Sequence, residues 1–551
     1  MKNLILFLLL ASQSPGLLFS QDTYSLLFAP TSGISIQIQS RFESLAMDSS
    51  YLVGGERFHD IEYITILYQK NNYQPFWTDR QYNEEAVKAI QMSYEDGLIP
   101  LDYHLEAILS LMKDLDGIKA VSPDKVAKAA DLDLLLTDGV IFYANHLLYG
   151  KCDQATLIPT FNFGYAPVPD LNPESFQAAI KENQLSERLI MLRPQLPLYD
   201  TLLYMLAFYR EIEAKGGWPA IATGGKIEPG NSDDRIPLIR KRLWISGELT
   251  IYDSAAGKVY DKALEKNIKA FQTTHGLDAD GVIGVGTFRE LNVPVEKRIE
   301  TIRVNLERVR WVSRDLPSDY LIVNIAAFWL ILVKDGTIID RTKVVVGKPY
   351  TKTPIFRDKM RYIEFNPTWT VPTSIVKNEI IPKLKKDSMY LAHNNMILLD
   401  SKGNEVPVTN LDLKNLSASR FPYLVRQQPG PDNALGDVKF MFPNKYDIYL
   451  HDTPSKNLFS RASRAYSHGC IRVEKPLDLA ALLLQGTEWT REKINATIKT
   501  KVTTRVNLPK PLDVLLMYWT CGLDPDRRIF FVPDVYGRDP AVLKSLDQLL
   551  R

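Results

Sequence analysis

The sequence predicts a multi-domain α+β protein: an α-helical N-terminal domain, a small helical module in the middle, and a mainly β C-terminal domain interrupted by an inserted segment. Three observations lead there. The chain has 551 residues, well beyond the usual size of one hydrophobic core. Apolar residues recur at helical spacing up to about residue 217. From Tyr320 onward the pattern changes to alternating and short apolar runs, which suit strands.

Composition narrows the class. Lys and Arg total 66 against 65 Asp and Glu, and 45% of residues are hydrophobic, the balance of an ordinary folded protein. With no long basic run, the electrostatic footprint of a nucleic-acid binder is missing, so nucleic acid is set aside as a partner. Met1-Lys2-Asn3, the apolar run 4–11 and then Pro15-Gly16 have the shape of a secretory signal peptide, here assigned to 1–20. The run is short of the roughly 20 residues that span a bilayer, and an uncleaved signal anchor reaching Phe19 stays open as an alternative. Cys152, Cys470 and Cys521 are an odd number in an exported chain, so at least one thiol is free or pairs with another molecule. No disulfide framework holds this fold, and the cysteines lack the paired spacing of a zinc site. His59, His104, His146, His275 and His393 match no ligand spacing and are expected at surface or satisfied core positions, with no metal and no cofactor.

Taken in order, residues 21–230 are expected to form the helical domain. Leu132, Leu135, Leu136, Val140, Tyr143 and Leu147 carry its period, and a second helix over 202–212 stops at Gly216-Gly217. Gly, Ser, Asn and Asp gather over 220–234, which reads as a linker. The module at 236–293 contains a helix over 260–275 with Ala263, Ile268, Ala270 and Phe271 near its apolar side, then a turn over 278–284. A calcium loop fails there, because aligning Asp278 as first ligand puts Arg289 where a bidentate Glu belongs. Phe271-Gln272 followed by Asp280, Gly281, Gly284 and Thr287 resembles the peptidoglycan-binding type 1 family, with its Phe-Gln pair and Asp-Gly-x-x-Gly-x-x-Thr turn. A charged helix through Ile302, Leu306 and Val309 leads to strand-like runs at 321–327, 329–333 and 342–346. Lys334-Asp335-Gly336 joins the second and third as a hairpin, since Asp-Gly supplies positive φ. The β domain is placed at 318–505, with an insertion over 371–426 whose best helix covers 375–384, and strands resume at 438–442 and 446–450. Such an insertion suits a lid that excludes water. Residues 506–551 are left as a C-terminal extension packing on the β domain or the helical one.

The chemistry gathers in two segments, Ile448-Tyr449-Leu450-His451-Asp452-Thr453 and Ser467-His468-Gly469-Cys470-Ile471-Arg472-Val473. A thiol attacks carbonyl carbon only as thiolate, which requires a base or a positive neighbour. His468 lies two residues before Cys470, but His451 has the stronger claim, because a base delivered from a neighbouring strand is better held than one on the same loop. Gly469 leaves room for substrate, and the N–H groups of Gly469 and Cys470 are candidate donors to an oxyanion. Arg472 suits a substrate carboxylate or the thiolate itself. His468 is open between shaping the loop and stabilising the thiolate or oxyanion; Ser467 and Asn433 are open between tying backbone and touching substrate. Trp369 and Tyr449 read as core or cleft wall.

Ser467-His468-Gly469-Cys470-x-Arg472 resembles the signature of the YkuD-type L,D-transpeptidase domain, and His451-Asp452-Thr453 resembles the context of that family's base, roughly 20 residues upstream. Further likeness to its large multi-domain Gram-negative branch lies in Val344-Val345-Val346-Gly347-Lys348-Pro349, Phe365-Asn366-Pro367-Thr368-Trp369 and Asn433-Ala434-Leu435-Gly436. The resemblance implies an α-helical scaffold domain, a capping subdomain over the site, Cys470 as nucleophile, His451 as base and Ser467, His468 and Gly469 as supports. Arg472 and Asn433 are the substrate-binding residues. It implies 3-3 crosslinking of peptidoglycan stem peptides with release of terminal D-Ala, in the periplasm, by a monomer acting alongside other cell-wall enzymes. An L,D-carboxypeptidase using water as acceptor and a non-catalytic wall-binding scaffold remain the alternatives.

Overall fold

The computed structural model describes residues 21–550 apart from 30–31, 48–51, 117, 119, 164–172, 254, 313–315, 411–420 and 525–527; the expected signal segment lies outside the described residues. The chain divides into two compact units, one built from residues 1–151, 166–195 and 544–551, the other from 152–165 and 196–543.

The first unit is helical. Its axis is the 27-residue helix Pro123–Tyr149, opened by Ser122, whose side chain accepts the Lys125 N–H, and closed at Gly150 with φ 85°. Leu132, Leu134, Leu135, Leu136, Val140, Tyr143 and Leu147 are all buried, so the helix is wrapped on every side and has no wet stripe along its middle. Buried Asp133 on this helix accepts the N–H groups of Phe76 and Trp77 and the Tyr68 hydroxyl, pinning a separate loop to it.

In the second unit, helix Pro197–Ala214 ends at Gly216 and Gly217, both at positive φ, as the sequence pattern expected. It packs with helix Val295–Arg310 in one apolar cluster. Glu307 and Arg310 form a fully buried ion pair at 3.0 Å, and Glu307 also accepts the Cys152 N–H and the Trp311 indole N–H.

The small module follows, with helix Lys262–Thr274 capped by Asp261. The expected linker is woven into it: Ile221 and Ile227 are buried in the module's core, and Ile227 pairs with Ile283. Loop composition concealed this because two isolated isoleucines carry no period. Gln272 donates to Asp280 Oδ1, Val282 O and Thr287 Oγ1 and accepts the Gly281 N–H, so the Phe-Gln and Asp-Gly signature residues brace one turn.

The β domain is a nine-stranded sheet of β1 (Tyr320–Asn324), β2 (Trp329–Lys334), β3 (Thr337–Gly347), β4 (Phe356–Phe365), β5 (Val438–Met441), β6 (Leu450–His451), β7 (Ala465–Ser467), β8 (Ile471–Val473) and β9 (Thr504–Met517). Their order is β7-β3-β8-β6-β5-β4-β9-β1-β2, and β2 pairs back on β3, so eight strands close into a ring. The hairpin at Asp335 and Gly336 forms as expected, both at positive φ. The boundary expected at 505 is corrected: β9 runs between β4 and β1 and is paired along both edges, so the first part of the supposed extension belongs to the ring. The strand expected over 446–450 begins only at Leu450, because the Asn444 side chain turns the chain by accepting the Tyr446 and Ile448 N–H groups, with Asp447 left-handed at φ 54°.

Between β4 and β5 a separate four-stranded sheet, Trp369–Thr370, Leu424–Gln427, Met396–Leu399 and Glu405–Val406 in spatial order, packs with helical turns from Thr373 to Lys386 around its own core of Val376, Ile380, Leu384, Leu391, Leu398 and Val425. The insertion is thus a subdomain and not a loop.

Candidate active site

Parallel pairing of β6 with β8 builds the site. Leu450 lies opposite Ile471 and His451 opposite Arg472, with the Ile471 N–H donating to Tyr449 O at 3.0 Å. Side chains alternate along a strand, so the fully buried Leu450 and Ile471 point into the ring while Tyr449, His451, Cys470 and Arg472 share the other face. On the far side of β6, Lys439 of β5 lies opposite His451, and its ammonium sits 4.0 Å from the centre of the Tyr449 ring.

His451 is buried, and its Nδ1 lies 2.5 Å from Asp452 O. A carbonyl only accepts, so Nδ1 carries the proton and Nε2 keeps a lone pair. Burial, with Arg472 and Lys439 as cationic neighbours, drives this imidazole down to about 3, against the pull of the Asp452 carbonyl. Cys470 is held above its ordinary thiol value by burial, opposed by the Tyr449 N–H and hydroxyl and by Lys439. Its Sγ lies 3.6 Å from Asp447 O. Burial thus favours the neutral form of each group, imidazole and thiol. Arg472 carries a buried Nε with no hydrogen-bond partner, and burial lowers its affinity for its proton while the thiolate charge would restore it.

The remaining expected residues separate clearly. Ser467 ties backbone: its hydroxyl donates to Cys470 O at 2.5 Å and accepts the Gly469 N–H at 3.0 Å. That corrects the expectation for Gly469, whose N–H is already used and cannot serve an oxyanion. Gly469 is required by its φ of 127°, and its carbonyl accepts from Thr353 Oγ1 at 2.7 Å. His468 turns to the inserted subdomain, where its Nε2 meets Glu379 at 2.9 Å, both side chains 40% exposed. Asn433 is corrected from substrate binding: its side chain donates to Pro367 O and Gln428 O and accepts the Leu435 N–H, and it is 1% exposed. Both amide N–H donors and one lone pair of the amide oxygen are used within the protein.

Several residues were missed. Thr353 also accepts the Gly347 N–H, and Thr351 donates to Ser467 O, so the loop after β3 holds the loop that carries Cys470. Lys439 gave no sign as a site residue, because an isolated Lys in a β pattern is common, and Tyr449, read as core or cleft wall, lies beside Cys470. Asp452 accepts the Asp437 N–H and pairs with Lys456, and a Cβ on Gly436 would meet its carboxylate, which explains the glycine of the Asn433-Ala434-Leu435-Gly436 run. Trp369, first in the subdomain's sheet, lies close enough to the Tyr449 hydroxyl to ease its ionisation against the dominant effect of burial.

Comparison with known proteins agrees with this organisation. Residues 318–502 match the L,D-transpeptidase catalytic domain family, 62–206 a scaffold domain family, and 232–291 the family described as "Putative peptidoglycan binding domain". A protein of Haemophilus influenzae described as a "Putative L,D-transpeptidase" is 35% identical over 255 residues, covering 46% of this chain and 50% of the relative, so the chain spans about half the length of the curated relative it matches. Among solved structures, an L,D-transpeptidase from Mycobacterium smegmatis has 12% identity and a TM-score of 0.18, covering 36% of this chain and 58% of that one. One from Xylanimonas cellulosilytica has 15% identity and a TM-score of 0.16, covering 54% and 98%. By the family matches, the chain carries a YkuD-type L,D-transpeptidase catalytic domain together with a scaffold domain and a peptidoglycan-binding domain.

Proposed function

We propose that the chain is an exported L,D-transpeptidase that forms 3-3 crosslinks between peptidoglycan stem peptides through a thioester on Cys470. In this reading Nε2 of His451 takes the thiol proton, and Cys470 Sγ attacks the carbonyl of the third stem residue. The tetrahedral oxyanion is met by the Cys470 N–H, and the imidazolium returns its proton to the departing amine of D-Ala. The side-chain amine of a second stem then displaces the thiolate, giving the crosslink and restoring the thiol. Arg472 holds a stem carboxylate, and the inserted subdomain, which reaches the site through Trp369 and Glu379, keeps water away from the thioester.

The observation that carries the reading is the β6–β8 register, which puts Cys470, His451 and Arg472 on one face. The test is to incubate the purified protein with tetrapeptide muropeptides and analyse products by mass spectrometry. Crosslinked dimers that vanish in Cys470→Ala are expected, and dimers that persist overturn the nucleophile. Tripeptide monomers without dimers identify an L,D-carboxypeptidase instead. The peptidoglycan-binding domain supports glycan as a second contact, and the monomeric, periplasmic state is proposed with the function.

A further inference from the structure

We propose that His59, His104 and Asp138, in the helical unit and outside the transpeptidase machinery, form a site for one divalent transition-metal ion, with Zn2+ as the reference ion.

Three separate segments supply the residues. Asp138 lies at 0% exposure on helix Pro123–Tyr149, His104 sits left-handed at φ 61° between two helical turns, and His59 precedes helix Ile61–Lys70. Their inward atoms converge: His59 Nδ1 is 3.0 Å and His104 Nε2 2.6 Å from the same oxygen, Asp138 Oδ2. One donor atom from each of the three falls within 4.8 Å of the others.

The outward atoms are each held as a metal site requires. His59 Nε2 lies 2.8 Å from Leu550 O, His104 Nδ1 lies 3.5 Å from Glu56 Oε2, and Asp138 Oδ1 accepts the N–H groups of His59 and Asp60 at 3.1 and 3.2 Å. Ligating histidines donate the distal N–H to a carbonyl or carboxylate, which fixes the tautomer and turns the lone pair inward. Ring orientation is fixed as well, since His59 stacks on Phe142 at 3.9 Å between centroids and on His104 at 5.2 Å.

This arrangement needs positive charge at its centre. Both outward nitrogens face acceptors and carry protons, so the inward nitrogens of two neutral rings would turn lone pairs on a buried carboxylate oxygen. One divalent ion at the centre would meet both inward nitrogens and the carboxylate oxygen together, in place of the protons that now lie between them. The exchange balances: M2+ enters, two N–M bonds and one O–M bond form, and two H+ leave. At bond lengths of about 2.0 to 2.2 Å, donors around a tetrahedral ion stand about 3.3 to 3.6 Å apart, so the two rings, now 3.0 and 2.6 Å from Asp138 Oδ2, would draw back from it by about 0.3 to 1 Å, with the fourth position left for water.

The test uses the full-length chain without an oligohistidine tag, stripped with chelator and titrated with ZnCl2 by calorimetry in two buffers of different ionisation enthalpy. One equivalent of Zn2+ with proton release is expected, and Co2+ should give visible d–d bands. The His59→Ala/His104→Ala double variant should lose stoichiometric binding. Glu56→Gln, which leaves all three ligands in place, should weaken it by about 10- to 100-fold. No binding by the wild type, binding retained in a folded double variant, or an unchanged affinity in Glu56→Gln would each overturn the site and leave a proton-held ion cluster.

Discussion

Cys470, just before β8, and His451, on the parallel neighbour β6, lie two residues out of register, so that the imidazole lies opposite Arg472 and the thiol beside Tyr449. The imidazole is thereby buried between two cations, Arg472 and Lys439, and burial first, with their charge added, lowers its affinity for a second proton.

His451 is lowered to about 3 and Cys470 is raised above its ordinary value, both first by burial, which favours neutral imidazole and neutral thiol. Alkylation of Cys470 by iodoacetamide should therefore rise with pH into the alkaline range, with no inflection between pH 4 and 7. A plateau of fast alkylation from about pH 4 upward would mean an imidazolium–thiolate pair and would refute the neutral resting state. Lys439→Met should move the profile further toward high pH, because a cation that favours the thiolate is removed.

Arg472→Lys keeps the charge but loses the guanidinium fork. If the side chain binds a stem carboxylate, kcat/KM on tetrapeptide substrate should fall by about 10- to 100-fold, matching about 1.5 to 3 kcal/mol for a charge-assisted hydrogen bond. Unchanged steady-state kinetics would remove Arg472 from substrate binding.

Asn433→Ala leaves two buried carbonyls and one N–H without their partner. A loss of about 1 to 3 kcal/mol of stability per unsatisfied group is expected, read as a lower denaturation midpoint. A variant with unchanged stability and a raised KM would return Asn433 to the substrate.

Glu307→Ala strips a buried carboxylate from Arg310, the Cys152 N–H and the Trp311 indole. Urea unfolding should show about 3 to 5 kcal/mol lost, the cost of leaving a buried charge unpaired. A loss below about 1 kcal/mol would show that water reaches the guanidinium.

What the sequence disclosed, and what it hid, divides along physical lines. The Asp335-Gly336 hairpin, the glycine stop at Gly216-Gly217 and the Cys470 loop are local signals, each written in consecutive residues. The β4 and β9 strands were unreadable because a register shift lies between Asn507 and Leu512, beside Pro509 and Pro511. Such a bulge reverses which parity faces the core: Phe356 and Met360 are buried before it, Ile363 and Phe365 after it, so no period of two survives across the strand. The roles of Asn433 and Gly469 were equally hidden, since whether a polar group meets the substrate or its own backbone depends on chain distant in sequence. His59, His104 and Asp138 lie 45 and 34 positions apart along the chain, and only the helical packing unites them.

The position of β9 has a consequence for biosynthesis. It fills the place between β4 and β1, although Cys470 and the residues on its face, Tyr449, His451 and Arg472, precede it in the chain. A nascent polypeptide that has not yet delivered Met517 keeps a gap in the wall, with the edges of β4 and β1 both unpaired. The Cys470 thiol is thus made early and housed late, and stopping translation before that strand emerges should leave it in an open, incompletely walled setting.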